Sequence, residues 1–169
     1  MRHIRIVFAL ALSALLSGCF ASDRPMFSAA SAIPALGDGG RYVTFEVDAG
    51  KEKPSDPIAV RPGPANVYDF INEKGHATPV TFHPIAGGLH VAQVRLEGGQ
   101  GYGYVVARVA GNDVVIMPAE CARQDKAKMD ALGVVQVNQY ECRIDKVADP
   151  AAFFAGLSFS PPVSRMVRQ

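Results

Sequence analysis

The sequence predicts a mainly β domain with a minor helical part, an antiparallel meander of six to seven strands that forms a curled sheet or a small open barrel. Short runs rich in β-branched residues recur through residues 41–144, and turns containing glycine or asparagine separate them. Two short helices are predicted in the C-terminal half, one over residues 122–132 and one over residues 151–157. Sequential hairpins with few helices are typical of this class of fold.

The first strand is predicted from strict alternation in residues 41–48. Val43, Phe45 and Val47 point one way and polar residues point the other, which favours a strand that buries its valine and phenylalanine face. Residues 49–64 contain four prolines and are predicted to form a long loop, either solvated or in contact with a partner.

The central part of the sequence predicts one short strand and two hairpins. The predicted strands cover residues 67–71, 78–85, 89–96, 102–109 and 113–117. Gly87-Gly88 joins the first hairpin. The glycine-rich run from Gly98 to Gly103 is expected to be a hairpin connection, because it leads into a strand, whereas a phosphate-binding loop opens a helix.

Helix signals appear only after residue 120. Residues 122–132 consist largely of good helix formers, and Gly133 follows where a helix commonly ends. Residues 134–137 and 140–144 are expected to form a last strand or a bent strand pair. Asp149-Pro150 is a helix start, and Phe153, Phe154 and Leu157 give the second helix an apolar stripe. The remaining residues, 158–169, are expected to be an irregular tail.

The N-terminal residues have the layout of an export signal. Arg2, His3 and Arg5 precede an apolar run that is too short for a membrane span, which needs roughly 20 residues. The run ends in Leu16-Ser17-Gly18-Cys19, which resembles the lipobox of bacterial lipoproteins. A retained transmembrane helix and an ordinary cleaved signal peptide are the alternatives.

The resemblance to bacterial lipoproteins implies a division of the chain. Residues 1–18 would be a cleaved signal peptide, and Cys19 would carry a thioether lipid and an acylated amino terminus. Residues 19–40 would be a flexible tether, and residues 41–157 a single periplasmic β-rich domain. Phe20, rather than aspartate, follows the cysteine, which in enteric-type sorting favours the outer membrane.

Charge and composition exclude some partners. Removing residues 1–18 takes away Arg2 and Arg5 and leaves 15 basic residues against 16 acidic ones, a net charge of −1. A nucleic-acid-binding domain needs a basic face, and anionic lipid headgroups attract polybasic segments, so neither partner is expected. The predicted membrane attachment is therefore the covalent lipid on Cys19, with an envelope protein as a possible further partner.

Cysteine usage agrees with an exported protein. With Cys19 assigned to the lipid, Cys121 and Cys142 remain, and a disulfide between them is the economical prediction in an oxidising compartment. A redox or metal pair is the alternative, but no Cys-x-x-Cys spacing supports it.

Two side-chain sets are candidate ligand sites. If Gly87-Gly88 is a two-residue loop, His83 and His90 lie diagonally on one face, where they are weak candidates for a metal site. Tyr102 and Tyr104 share a face and could form an aromatic platform for a glycan or peptide, or simply pack across strands. No cofactor is expected.

The sequence offers little material for catalysis. Ser55 is the sole serine of the predicted domain, no Gly-x-Ser-x-Gly turn is present, and the acidic residues show no paired spacing. A non-enzymatic, lipid-anchored protein with a binding or envelope-maintenance role is therefore the leading hypothesis. A periplasmic inhibitor of a lytic enzyme or protease is the first alternative, since Tyr140-Glu141-Cys142 is faintly similar to the disulfide strand of membrane-bound lysozyme inhibitors. A small-ligand carrier is the second.

Overall fold

The computed structural model describes residues 20–169, which contain eleven strands and two short α-helices. The strands are β1 (Phe20–Ser22), β2 (Gly40–Asp48), β3 (Lys51–Pro62), β4 (Val67–Ile71), β5 (Ala77–Ile85), β6 (Leu89–Arg95), β7 (Tyr102–Ala110), β8 (Asp113–Met117), β9 (Val135–Gln136), β10 (Cys142–Arg143) and β11 (Ser164–Arg168). The helices are α1 (Lys126–Ala131) and α2 (Pro150–Ala155).

Eight of these strands close into an antiparallel barrel. Their order around the barrel is β6-β5-β4-β3-β2-β11-β8-β7, and pairing of β7 with β6 completes the ring. The predicted mainly β class with two short helices is confirmed. The barrel is closed rather than open, and it has eight strands where six to seven were predicted. Closure gives every barrel strand a neighbour on both sides, although the part of β3 before Ala59 pairs with β2 alone.

The barrel interior is a packed apolar core. Tyr42, Tyr68 and Phe82 are each at most 2% exposed there and contact smaller side chains such as Ala107 and Met166. Leu36, from the segment before β2, covers one end, where its backbone N–H donates to the Tyr68 hydroxyl at 3.2 Å. Side chains rather than an open lumen therefore occupy the region that a small-ligand carrier would use.

The predicted orientation of β2 is wrong. Tyr42 and Thr44 are buried in the barrel, whereas Val43, Phe45 and Val47 lie half-exposed on its outer face. Alternation separated the two faces correctly. It did not identify the inner one, because both faces carry residues large enough to fill a core.

The predicted proline-rich loop is also wrong, because residues 51–62 form the twelve-residue strand β3. β3 pairs with β2 along its length but with β4 only from Ala59 to Pro62. Pro54 lies in the part with a single partner, and Pro57 lies at the irregularity where the β2–β3 register shifts. Edges and bulges are the places where a strand tolerates proline.

The C-terminal residues are not an irregular tail. β11 inserts between β2 and β8, with Met166 opposite both Thr44 and Val114, and so closes the barrel. Arg165 and Val167 point outward on the same strand, which is too short and too charged to stand out as a strand in the sequence.

A second core lies outside the barrel wall. The outer faces of β5, β6 and β7 pack against α1, α2 and the segment between them, and Val91, Val106, Ile144 and Phe154 are buried at this contact. α2 begins as predicted at the N-cap Asp149, which accepts from the Ala152 N–H at 3.0 Å; α1 begins at Asp125, which was predicted to lie inside the helix and accepts from the Lys128 N–H at 2.9 Å. α1 is shorter than expected, with a 3-10 turn (Cys121–Arg123) before it.

Three short strands extend the sheet beside this second core. β8 pairs with β7 only from Val106 to Ala110, and β1 takes over along Tyr102 to Tyr104. β10 then pairs with β1 in parallel, and β9 pairs with β10 as the last strand. Within residues 20–169 no helix has the length and apolarity needed to cross a bilayer.

Candidate functional site

The segment that follows Cys19 is part of the fold, so the predicted flexible tether over residues 19–40 is wrong for its described part. Phe20 is 1% exposed and packs edge-on against Phe153 and Phe154, with ring centroids 5.1 and 5.9 Å away. The predicted signal peptide and Cys19 itself lie outside the described residues. The composition of this segment predicted a linker, but Phe20, Phe27 and Leu36 are buried in the two apolar cores.

Polar side chains of the barrel wall hold the irregular part of this segment. The Tyr104 hydroxyl lies 2.6 Å from Ser22 Oγ and accepts from the Met26 N–H at 3.0 Å. Gln93 accepts from the Phe27 N–H through Oε1 at 3.1 Å and donates to the Phe27 carbonyl through Nε2 at 3.4 Å. These contacts satisfy backbone groups that no strand partner reaches.

Of the two candidate platform tyrosines, Tyr104 is therefore not available to a ligand in this fold. Tyr104 is 2% exposed, and burial raises the pKa of its phenol despite the hydrogen bonds from Ser22 and Met26. Tyr102 is half-buried against the second core. They do share a face, as predicted, but β1 and the helices cover that face.

The predicted histidine pair does not form. The loop between β5 and β6 has three residues, Ala86–Gly88, so His83 stands opposite Val91 and His90 opposite Pro84. Neighbouring residues of a strand point to opposite faces, and this register therefore places His83 outside the barrel and His90 inside it. The two imidazoles lie on opposite faces of the wall, so the weak candidates His83 and His90 cannot share a metal ion.

His83 is instead part of the second core, whereas His90 is half-buried on the inner side of the wall. His83 is 1% exposed, stacks on Phe27 with centroids 4.7 Å apart, and hydrogen-bonds Ser31 Oγ at 2.9 Å and Thr81 Oγ1 at 2.8 Å. Burial lowers the pKa of both His83 and His90. The Nδ1 atom of His90 is the one buried side-chain polar atom of residues 20–169 without a hydrogen-bond partner.

Cys121 and Cys142 meet at disulfide distance, with Cα atoms 5.9 Å apart, which is consistent with the predicted bridge. A groove of about 670 Å³ runs beside them, between α1 and the β9–β10 hairpin (residues 135–143). Gln124, Lys126, Asp130, Gln136 and Asn138 give this groove a mixed polar lining. Its cysteines are paired, so the groove has no free thiol to act as a nucleophile.

The β9–β10 hairpin also carries exposed apolar side chains that the sequence did not single out. Val135, Val137 and Tyr140 are more than half exposed, and Leu132 beside them is 38% exposed. The loop is fixed by Asn138, whose side-chain oxygen accepts from the Tyr140 and Glu141 N–H groups at 2.7 and 3.0 Å. Alternation in this region predicted a strand but gave no sign that its valines would lack a covering element.

A cluster of charges flanks the same hairpin. Arg143 contacts the carboxylates of Asp23, Glu141 and Asp145. Burial opposes ionisation of Asp145, but the Asp23 N–H and Arg143 outweigh it and leave the pKa of that carboxyl lowered. In this cluster a single guanidinium contacts all three carboxylates, and the contacts tie β10 to the start of the described chain.

The β2–β3 hairpin, where a partner-contact loop was predicted, extends beyond the β3–β4 pairing. Its turn, Ala49 and Gly50, is exposed, and Lys51 and Lys53 stand on the edge of β3 that has no β4 partner. Close to this turn, Glu52 pairs with Arg165 of β11, which also pairs with Asp113; the N–O distances are 3.0 and 2.9 Å.

Comparison with known proteins gives no relative: no family model, no curated protein and no solved structure matches this chain. Across the described part of the chain no group of three or more His, Cys, Asp or Glu side chains is arranged to hold a metal ion.

Proposed function

We propose that this protein is a lipid-anchored lipoprotein of the bacterial cell envelope, attached to the outer membrane and facing the periplasm, with a non-catalytic binding or envelope-maintenance role. The observation that carries the proposal is the position of Leu16-Ser17-Gly18-Cys19 relative to the fold. The first described residue, Phe20, is already buried in β1. Cleavage before Cys19 would leave every described element intact.

The non-catalytic part of the proposal is supported by the separation of the chemically active side chains. His83 and His90 face different cores, and Cys121 and Cys142 are paired. Ser55 lies on β3 beside Thr44. General acid–base or nucleophilic catalysis needs such groups within hydrogen-bond reach of one another.

Metabolic labelling with an alkyne fatty acid tests the anchor. The parent chain is expected to carry the label and to sediment with envelope membranes, whereas Cys19→Ala is expected to lose the label and to keep residues 1–18, seen as a larger mass. A Cys121→Ala/Cys142→Ala double variant keeps Cys19 and is expected to retain the label. A Cys19→Ala protein that still carries label, or that is still cleaved before position 19, contradicts the proposal.

The protruding β2–β3 hairpin supports a second candidate, a periplasmic inhibitor of a lytic enzyme or protease. The hairpin is long, exposed at its turn and held close to that turn by the Arg165–Glu52 ion pair, which are properties of a rigid loop that enters a cleft. A photo-crosslinking residue at Ala49 is expected to capture an envelope hydrolase, and the same residue at Glu73 in the exposed β4–β5 turn serves as the control. Equal products at both positions would contradict the inhibitor role.

A further inference from the structure

Exposed apolar side chains concentrate on one feature of the described chain. Five large apolar residues of that part are well exposed, and four of them lie within nine positions: Leu132, Val135, Val137 and Tyr140. The fifth, Val163, lies on the rim where β2 meets β11. Single exposed apolar residues need no explanation, but a cluster marks a surface that contacts something apolar.

The parallel pairing of β1 with β10 relates this cluster to the proposed anchor. Phe20 is opposite Cys142 and Ala21 is opposite Arg143, so Phe20 lies beside the end of the hairpin loop, one residue along β10 from Glu141. Consecutive Cα atoms are about 3.8 Å apart. A lipid on Cys19 would therefore leave the domain beside the loop that holds Tyr140.

No spacer separates that lipid from the fold. Phe20 packs edge-on against Phe153 and Phe154 of α2, and the Ala21 carbonyl accepts from the Ile144 N–H at 2.9 Å. An anchor attached one residue earlier would hold this side of the domain against the bilayer.

The two free strand edges of the described chain differ in a way that fits this arrangement. The unpaired part of β3 carries Lys51, Lys53 and Pro54, which are residues that keep an edge from contacting another surface. β9, at the end of the sheet order, has Val135 and is followed by Val137. β9 has only two residues, so few unpaired backbone groups accompany these valines at the edge of the sheet.

The charges around the hairpin favour an apolar rather than an electrostatic contact. Arg143 is surrounded by the carboxylates of Asp23, Glu141 and Asp145, and the loop itself has no lysine or arginine. Attraction to anionic headgroups requires basic clusters. Tyrosine has an apolar ring and a polar hydroxyl, which suits the headgroup level of a bilayer.

We propose that the β9–β10 hairpin is a membrane-contact surface, in which Val137 and Tyr140 enter the boundary between lipid headgroups and acyl chains beside the lipid on Cys19. This inference rests on the proposed lipid anchor and adds the orientation of the domain. The contact is apolar, so a neutral phospholipid surface is sufficient for it.

Tryptophan fluorescence on vesicles tests the inference, because the chain has no tryptophan of its own. Residues 19–169 are coupled through the Cys19 thiol to a maleimide lipid in phosphatidylcholine vesicles, with Cys121 and Cys142 paired and so unreactive. Tyr140→Trp places the probe in the hairpin loop. Val163→Trp is the matched control at another exposed apolar position.

Tyr140→Trp is expected to emit at shorter wavelength on vesicles and to be quenched by brominated acyl chains at least about twofold more than Val163→Trp, since interfacial segments lie about 5–10 Å into the boundary. Adding anionic lipid is expected to leave both values unchanged. Equal quenching of the two probes overturns the inference. So does a blue-shifted Tyr140→Trp in solution together with a dimer by light scattering, because a second copy would then cover the hairpin.

The lipid in this experiment is attached chemically, so its result does not depend on whether cells acylate Cys19. A protein that is labelled in cells but shows equal quenching keeps the proposed anchor and loses the membrane-contact surface. A protein that is not labelled in cells loses the anchor and, with it, this inference about the native protein.

Discussion

His83 has a protonation state that is tied to the second core. Its ring stacks on Phe27, and hydrogen bonds to Ser31 and Thr81 occupy both ring nitrogens. Burial lowers the pKa of His83 below its ordinary value of 6.5. Between the lowered pKa and 6.5, the unfolded chain binds a proton that the folded chain does not, so acid favours unfolding.

We expect stability to be complete above about pH 6.5, the ordinary histidine pKa, and to fall as the pH drops through the lowered pKa. The midpoint of thermal unfolding, measured from pH 8 to pH 5, is the readout. His83→Gln should flatten this dependence, and His90 should account for part of what remains because burial lowers its pKa as well. An unchanged slope in His83→Gln, with exposed His76→Gln as the control, would contradict the assignment.

Gly101 allows β1 to approach the start of β7. It has φ +99°, and a Cβ there would collide with the Ser22 carbonyl oxygen. Gly99, in the same connection, also has a positive φ of +73°, but nothing lies within 4 Å of its would-be Cβ. Both positions have a backbone conformation that strains other residues, but of the two only Gly101 has a neighbouring atom that a Cβ would strike.

Gly99→Ala should cost about 1–2 kcal/mol of unfolding free energy, the usual penalty of a left-handed conformation. Gly101→Ala should cost clearly more, because β1 must move away from β7. Urea unfolding of both variants measures the difference. Equal costs would mean that the collision is relieved without moving β1.

The candidate histidine site depends on the length of the β5–β6 loop, because one additional residue separates the two histidines. The sequence predicted the β5–β6 hairpin and both of its strands, yet a two-residue turn was assumed where the loop Ala86–Gly88 has three. Because side chains alternate with a period of two, this single residue moves His90 to the other face. Local composition cannot distinguish the two loop lengths, since glycines suit both.

At the scale of elements, β11 closes the barrel with a short and charged sequence. Met166 is its one deeply buried side chain, opposite Thr44 and Val114. Closure therefore depends on a single apolar residue and on backbone hydrogen bonds to β2 and β8.

Met166→Ala should lower the free energy of unfolding by about 2–5 kcal/mol, the usual cost of truncating a buried methionine. Val163→Ala, just before the strand and 44% exposed, should change it by no more than about 0.5 kcal/mol. Chemical denaturation of the two variants gives the comparison. A small effect of Met166→Ala would show that the interior can collapse around the missing side chain.

The elements that the sequence predicted well are those whose pattern is local. Strands with long apolar alternation and the Asp149 N-cap were located to within a few residues. β3 was missed because proline is allowed at its edge and at its bulge, which are tertiary conditions. β1 was missed because three residues pair with a strand more than eighty positions away, and short segments carry no period.

At the scale of the whole molecule, two cores share one wall. The barrel interior and the second core lie on opposite faces of β5, β6 and β7. Cys121 and Cys142 both belong to the second core, and the bridge between them spans 21 positions of sequence. Its loss is expected to cost about 3 kcal/mol in the chain-entropy model.

We expect the loss of stability to appear first as local unfolding of the second core. In a Cys121→Ala/Cys142→Ala variant, we expect backbone amides of α1, β9 and β10 to exchange with solvent much faster, while amides of β4 and β5 keep their protection. Hydrogen exchange followed by mass spectrometry separates these peptides. A uniform increase over all elements would indicate that the two cores unfold as one unit.

The shared wall has a consequence for how freely the sequence can vary. Val91, Ala92, Gln93 and Val94 are buried in succession, because alternate residues of β6 serve different cores. A strand buried on both faces loses the polar alternation that marks a solvent-facing sheet. In a saturation-mutagenesis map, tolerance should therefore be lowest along β6 and β7, with no permissive face, and highest in the outer half of the β2–β3 hairpin.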